Sequence, residues 1–133
     1  MIECQLARMV LRDTADQQYV YLREKDGARS FPIVIGIFEA AEINRKLGGE
    51  QTARPLTHDL IHNILGELGG RIVRIVVDQL RDNVFHAKLH VEHGGETHQI
   101  DSRPSDAIAL AVAVGAPIFV EEEVLDAVCQ DEL

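Results

Sequence analysis

Alternating apolar and polar positions open the chain. Ile2, Cys4 and Leu6 share one side of residues 2–12, ahead of the denser Met9-Val10-Leu11, and the period of two predicts a strand. The polar stretch 13–17 interrupts it, Tyr19 to Leu22 predicts a second strand, and Asp26-Gly27 marks a turn. Phe31 to Ile35 is almost continuously apolar, which predicts a third strand in a central position. After Gly36 the period changes. Ala40, Ile43 and Leu47 recur at helical spacing over 37–47, Glu42 stands four residues before Lys46, and Gly48-Gly49 supplies the stop.

A second helix follows Arg54-Pro55, with Thr57 as its expected cap. Leu60, Ile61, Ile64, Leu65 and Leu68 make its apolar face, and Gly69-Gly70 closes it. Ile72 to Val77 and Val84 to Val91 then flank the turn Arg81-Asp82-Asn83. In the second of these strands Phe85, Ala87, Leu89 and Val91 alternate with His86, Lys88 and His90, the pattern of a hairpin with one buried face and solvated histidines on the other. Another turn at 93–96 leads to a short strand over 97–101. Residues 104–114 have almost no polar face, so this helix is expected to be buried on most sides, in the core or against another subunit. Gly115-Ala116-Pro117 ends it, Ile118-Phe119-Val120 forms a last strand, and 121–129 reads as a short acidic helix before a frayed tail. Hairpins interleaved with helices predict an α+β fold, a mixed sheet covered by three or four helices in a single compact domain over residues 1–133.

Of the formal charge of −9, six units fall within residues 121–133, so the body of the domain is only mildly acidic. No run of lysines and arginines offers a stripe for duplex phosphates. The apolar stretches are interrupted too early to span a bilayer, and the N-terminus has neither the basic segment nor the small-residue cleavage site of a secretory signal, so a cytoplasmic protein is expected. Cys4 and Cys129 stand near opposite ends, which fits reduced, buried thiols. Neither a phosphate loop nor a Gly-x-Gly-x-x-Gly turn occurs, nor a Gly-x-Ser-x-Gly elbow.

Candidate chemistry gathers at two helix starts that echo each other, Arg54-Pro55-Leu56-Thr57-His58-Asp59 and Arg103-Pro104-Ser105-Asp106. Proline suits a first turn, whose amides have no carbonyl partner, and an acid there is favoured by the macrodipole. Neither effect explains the arginines. A guanidinium pairs bidentately with carboxylate or phosphate, so Arg54 with Asp106, or Arg103 with Asp59, forms either an internal lock or half of an anion site. Asp59, Asp101 and Asp106, if they converge, make the oxygen-rich set that Mg2+ or Mn2+ prefers. His58 and His62 lie on one helical side, but without the His-Glu-x-x-His pattern the spacing fits hydrogen-bonding or surface histidines better than a joint metal site.

Taken together, Phe31-Pro32-Ile33-Val34-Ile35-Gly36 followed by Glu39-Ala40, the stretch from Arg54 to Leu60, Asp101-Ser102-Arg103-Pro104-Ser105-Asp106-Ala107-Ile108-Ala109-Leu110-Ala111, and Pro117-Ile118-Phe119-Val120 resemble the bifunctional nuclease domain family. The resemblance covers nearly the whole chain; Ser102 stands where alanine is more familiar. It implies divalent-metal-supported cleavage of RNA and DNA by a compact α+β protein that assembles as a homo-oligomer. The residue roles come instead from the two helix starts: Asp59, Asp106 and Asp101 for the metal, Arg54 or Arg103 for charge on the phosphate, and His58 for proton transfer. Two other functions fit the same residues. One is a non-catalytic regulatory protein holding a small anionic ligand between the helix starts; the other is a salt-bridge lock in an oligomeric interaction protein.

Overall fold

A computed structural model describes residues 1–12, 17–50 and 52–129. The first half of the chain gives β1 (Ile2–Val10), β2 (Gln17–Glu24), β3 (Ser30–Gly36), α1 (Ile37–Leu47) and α2 (Thr57–Glu67). The second gives β4 (Arg71–Arg81), β5 (Val84–His93), β6 (Glu96–Ser102), α3 (Pro104–Val114), β7 (Ile118–Val120) and α4 (Glu122–Val128). Of the expected polar break at 13–17, residues 13–16 lie outside the described residues, as does the tail at 130–133, while Gln17 already belongs to β2.

Two antiparallel meanders, β1–β3 and β4–β6, are joined into one mixed sheet of order β3-β2-β1-β7-β4-β5-β6. The joint is the three-residue β7. It pairs antiparallel with β1 (Ile2 opposite Val120) and parallel with β4 (Ile75 opposite Ile118). The β4–β5 turn places Asp82 and Asn83 at positive φ, the backbone that a two-residue hairpin requires and that these residue types tolerate. Val20, Leu22, Phe31, Ile33, Ile35, Ile75, Val77, Ala87, Leu89 and Val91 carry one continuous core from strand to strand.

Four expectations are corrected. β3 is an edge strand, not a central one, because only Phe31, Ile33 and Ile35 point inward. Pro32 and Val34 supplied the rest of the apolar run and face outward, and the edge position of the strand is what accommodates a proline. On α2 the five apolar residues divide: Ile61 and Leu65 pack on the core, whereas Leu60, Ile64 and Leu68 form an exposed ridge at four-residue spacing. The cap of α2 is Leu56 rather than Thr57, and its backbone N–H donates to Asp59 Oδ2 at 3.0 Å. Among the β5 histidines, His90 is half-buried and lies 2.9 Å from Arg74, and burial together with that guanidinium lowers its pKa.

α3 is the hub. Pro104, Ser105 and the continuous run Ala107 to Ala111 are buried, with α1 and α2 packed against the helix and the sheet at β3, β4 and β5. It ends at Gly115, which takes the left-handed conformation (φ 74°) while Ala116 N–H closes back on Ala111 O at 3.0 Å. The acidic α4 has a partner too, since Arg29 bridges Glu24, Glu122 and Asp126 and so ties α4 to the β2–β3 turn. Among the described residues no helix is long and apolar enough to cross a membrane.

If α3 is the hub, Ile108→Ala is expected to lower the unfolding free energy by about 2–5 kcal/mol in urea titrations followed by circular dichroism, the usual cost of truncating a fully buried isoleucine.

Candidate active site

The first turns of three helices meet. Glu39 stands in the first turn of α1, His58 and Asp59 in that of α2, and Asp106 in that of α3. A chain of polar contacts links them. His58 Nε2 lies 3.0 Å from Asp106 Oδ1; Arg103 Nε donates to Asp106 Oδ2 at 3.0 Å, and Arg103 Nη2 donates to Glu39 Oε1 at 2.9 Å. Arg103 is itself the N-cap position of α3, in extended conformation, and Pro104 follows it into the helix. The sequence thus aims Arg103 outward over the helix start whose first turn carries its partner.

Burial alone would raise the Asp106 pKa, but the hydrogen bonds from Arg103 and His58 outweigh it and hold the carboxyl below its ordinary value. An ionised carboxylate only accepts hydrogen bonds, so Nε2 is the protonated nitrogen of the buried His58 ring. Its Nδ1 makes no hydrogen bond among the described residues. Arg103 is bound to Asp106 and Glu39, which raise its pKa, yet its side chain remains 67% exposed.

The other sequence-selected residues occupy different places. Asp59 pairs with Lys46 from the last turn of α1 and accepts from the Leu56 amide; Lys46 first, then that amide, lower its pKa. Neither expected cross-pair forms: Arg103 binds its own Asp106, and Asp59 goes to Lys46. Arg54 is exposed and its side chain has no ion pair or hydrogen bond among the described residues. Asp101, on edge strand β6, is 79% exposed beside Lys88, at 3.5 Å. Asp59, Asp101 and Asp106 therefore have three separate settings. Among the described residues no three His, Cys, Asp or Glu side chains are grouped to hold a metal ion. His62 is exposed and lines a separate hollow with Arg71 and Pro117, so the structure does not bring it together with His58.

A cleft of about 630 Å³ opens over the polar chain, lined by Phe38, Glu39, Glu42, Arg45, His58, Arg103 and Asp106 among others. Arg45, Glu42, Pro55 and Leu56 also line a neighbouring hollow of about 330 Å³ that contains Lys46 and Asp59. Glu42 is the buried acid between them. Its Oε2 pairs with Arg45, while Oε1 is buried without a hydrogen-bond partner among the described residues. Sequence reasoning missed Glu39, Glu42 and Lys46. The available signal was the first turn after Gly36, where a Cβ would run into the Glu39 carboxylate, so the glycine leaves that side chain free to fold over the helix start. Cys4 offers no rival nucleophile, since burial, reinforced by Glu24, pushes its thiol up to about 11.

Residues 20–132 match the profile described as the bifunctional nuclease domain. An uncharacterised protein of Mycobacterium tuberculosis is 37% identical over 125 residues, covering 94% of this chain and 74% of its own length. Bifunctional nuclease 2 of rice, Oryza sativa subsp. japonica, is 25% identical over 112 residues, and bifunctional nuclease 1 of O. sativa subsp. indica is 23% identical over 118. The chain aligns with 34% and 36% of the lengths of those two plant proteins.

The depressed carboxyls fix the sign of an acid dependence. Unfolded, Asp59 and Asp106 titrate near 3.8, and folded they titrate lower. Their contribution to stability is thus complete above that value and lost as pH falls through the folded pKa values. Urea titrations from pH 6 to pH 2 are expected to show this loss, and an Asp59→Asn/Asp106→Asn double variant a shallower fall.

Proposed function

From the premise that this chain belongs to the bifunctional nuclease domain family, we propose that it hydrolyses phosphodiester bonds of RNA and DNA in the cleft between α1, α2 and α3. The observation that carries the proposal is the contact of His58 Nε2 with Asp106 Oδ1 at the start of two helices, beside a mostly exposed arginine. His58 Nδ1 takes the proton of the attacking water as its oxygen bonds to phosphorus; the P–O bond to the departing sugar oxygen breaks, and that oxygen leaves with a proton from solvent. Asp106 fixes the ring's tautomer and orientation and stabilises the imidazolium that forms. Arg103 meets the non-bridging phosphate oxygens, on which negative charge builds, and Arg54, free of internal partners among the described residues, offers a second phosphate contact further along the strand. Asp59 acts through the helix: pinned by Lys46 and by the Leu56 amide, it holds the turn that carries His58.

Asp59, Asp101 and Asp106 stand apart and no three acidic side chains are grouped to hold an ion among the described residues, so a divalent ion would draw on individual carboxylates of this cleft. The unpartnered Glu42 Oε1 fits a cation, and Glu39 and Asp106 are the other carboxylates on the same wall. Arg103 bridges Glu39 and Asp106, so an ion held by either carboxylate would compete with that guanidinium. Bound Mg2+ or Mn2+ supplies a Lewis acid for the phosphoryl oxygens. Its charge would offset a cleft in which Glu39, Glu42 and Asp106 outnumber Arg45 and Arg103. The exposed ridge Leu60, Ile64 and Leu68 supports self-association as a second property of the protein.

The test compares wild type, His58→Gln, Asp106→Asn and Asp101→Asn on labelled RNA and single-stranded DNA, in Mn2+ and in chelator. His58→Gln is expected to lower kcat by about 10²–10⁴-fold, as loss of a general base does. Asp106→Asn is expected to lower it by a smaller factor, and Asp101→Asn to leave it within about twofold of wild type. Undiminished cleavage by His58→Gln overturns the mechanism.

A further inference from the structure

Phe38, the second residue of α1, is 85% exposed, more than any other large apolar side chain among the described residues. The remaining aromatic rings are engaged elsewhere. Phe31 is buried against Phe85, Tyr21 and Tyr19 lie under Arg8 and Arg12, and Phe119 is half-buried on β7. Packing does not explain Phe38, and the helix gains nothing from it, since α1 buries Ala40, Glu42 and Ile43 instead. Yet it stands on the wall of the same cleft as His58 and Arg103. A phenyl face and an exposed guanidinium lining one cleft present the two groups that an unpaired nucleotide needs, a surface for the base and a cation for its phosphate.

We propose that Phe38 is the platform on which an unpaired nucleobase of a single-stranded polynucleotide stacks, with the adjoining phosphate at Arg103. This rests on the nuclease function proposed above and adds its substrate selectivity. Inside a duplex both faces of each base are covered by neighbours, so an aromatic ring engages only a base that is splayed out or unpaired. Charge gives this assignment a second consequence. Glu39, Glu42 and Asp106 outnumber Arg45 and Arg103 within the cleft, leaving no net positive field to draw in a polyanion. Stacking then supplies a large share of the affinity, and binding depends less steeply on salt than at a lysine-rich groove.

The chain contains no tryptophan, so Phe38→Trp introduces a single fluorescent reporter at the proposed platform. With Mn2+ present, a phosphorothioate oligothymidylate, resistant to cleavage, is titrated against this variant, and its duplex with oligodeoxyadenylate serves as comparison. The single strand is expected to quench the indole saturably and the duplex to leave it nearly unchanged. Anisotropy of the labelled oligonucleotide is expected to show affinity falling about 5- to 100-fold in Phe38→Ala and returning in Phe38→Tyr, the range of one lost base–aromatic stack. Melting temperatures of all variants should match wild type, because the ring is outside the core. Equal binding by wild type and Phe38→Ala, or no binding by either, overturns the proposal. So does an indole spectrum that changes with protein concentration alone, which would make the ring a contact between copies of this chain. Because this assay reads binding without hydrolysis, loss of the His58 mechanism leaves it standing, and equal binding by wild type and Phe38→Ala leaves that mechanism intact.

Discussion

The structure depends on the burial of α3. A helix running Ala107-Ile108-Ala109-Leu110-Ala111, all buried, has no face to give to water and must be covered on several sides at once. The sheet takes one side, and α1 and α2 take others. With Ile43 of α1 and Ile61 and Leu65 of α2 directed into this core, the helices settle with their first turns close together. The polar chain from Glu39 through Arg103 and Asp106 to His58 is the consequence. None of these side chains is adjacent to its cross-helix partner in sequence; packing of an apolar helix brings them together.

Helix starts are well suited to this use. Their unpaired amides and positive dipole end favour carboxylates, and Glu39, Asp59 and Asp106 all occupy first turns. Local capping therefore does part of the work of holding acids where a site needs them. Asp59 shows the purely structural outcome, closed off by Lys46 and the Leu56 amide. Asp106 shows the other, with both oxygens engaged but in a cleft open to a ligand. The twin Arg-Pro entrances look alike in sequence and differ in role because Arg103 reaches an acid in its own first turn, whereas Arg54 has no side-chain partner among the described residues.

Period and punctuation made most elements legible. The bounds expected for α1 and α3 agree with those observed, because Gly36, Gly48, Pro104 and Gly115 mark them chemically. The place of β3 in the sheet was not legible, since outward apolar residues at a sheet edge mimic the continuous run of a central strand. At the site, His58, Arg103 and Asp106 were visible as unexplained polar groups, and they do meet. Glu39, the partner of Arg103, and Glu42, which pairs with Arg45 on the same cleft, were not. On an amphipathic helix an acid facing water and an acid facing a cleft give the same pattern, and only the packing of α1 against α3 separates them.

The hydrolytic mechanism proposed for the cleft requires that the α2 and α3 entrances be energetically coupled through His58 and Asp106. A double-mutant cycle in urea, with His58→Ala, Asp106→Ala and the combined variant, isolates that pair from the separate bond between Asp106 and Arg103. The account calls for a coupling of about 1.5–3 kcal/mol, the usual net value of a hydrogen bond to a charged group. A coupling indistinguishable from zero, with the two single losses simply adding, would contradict it.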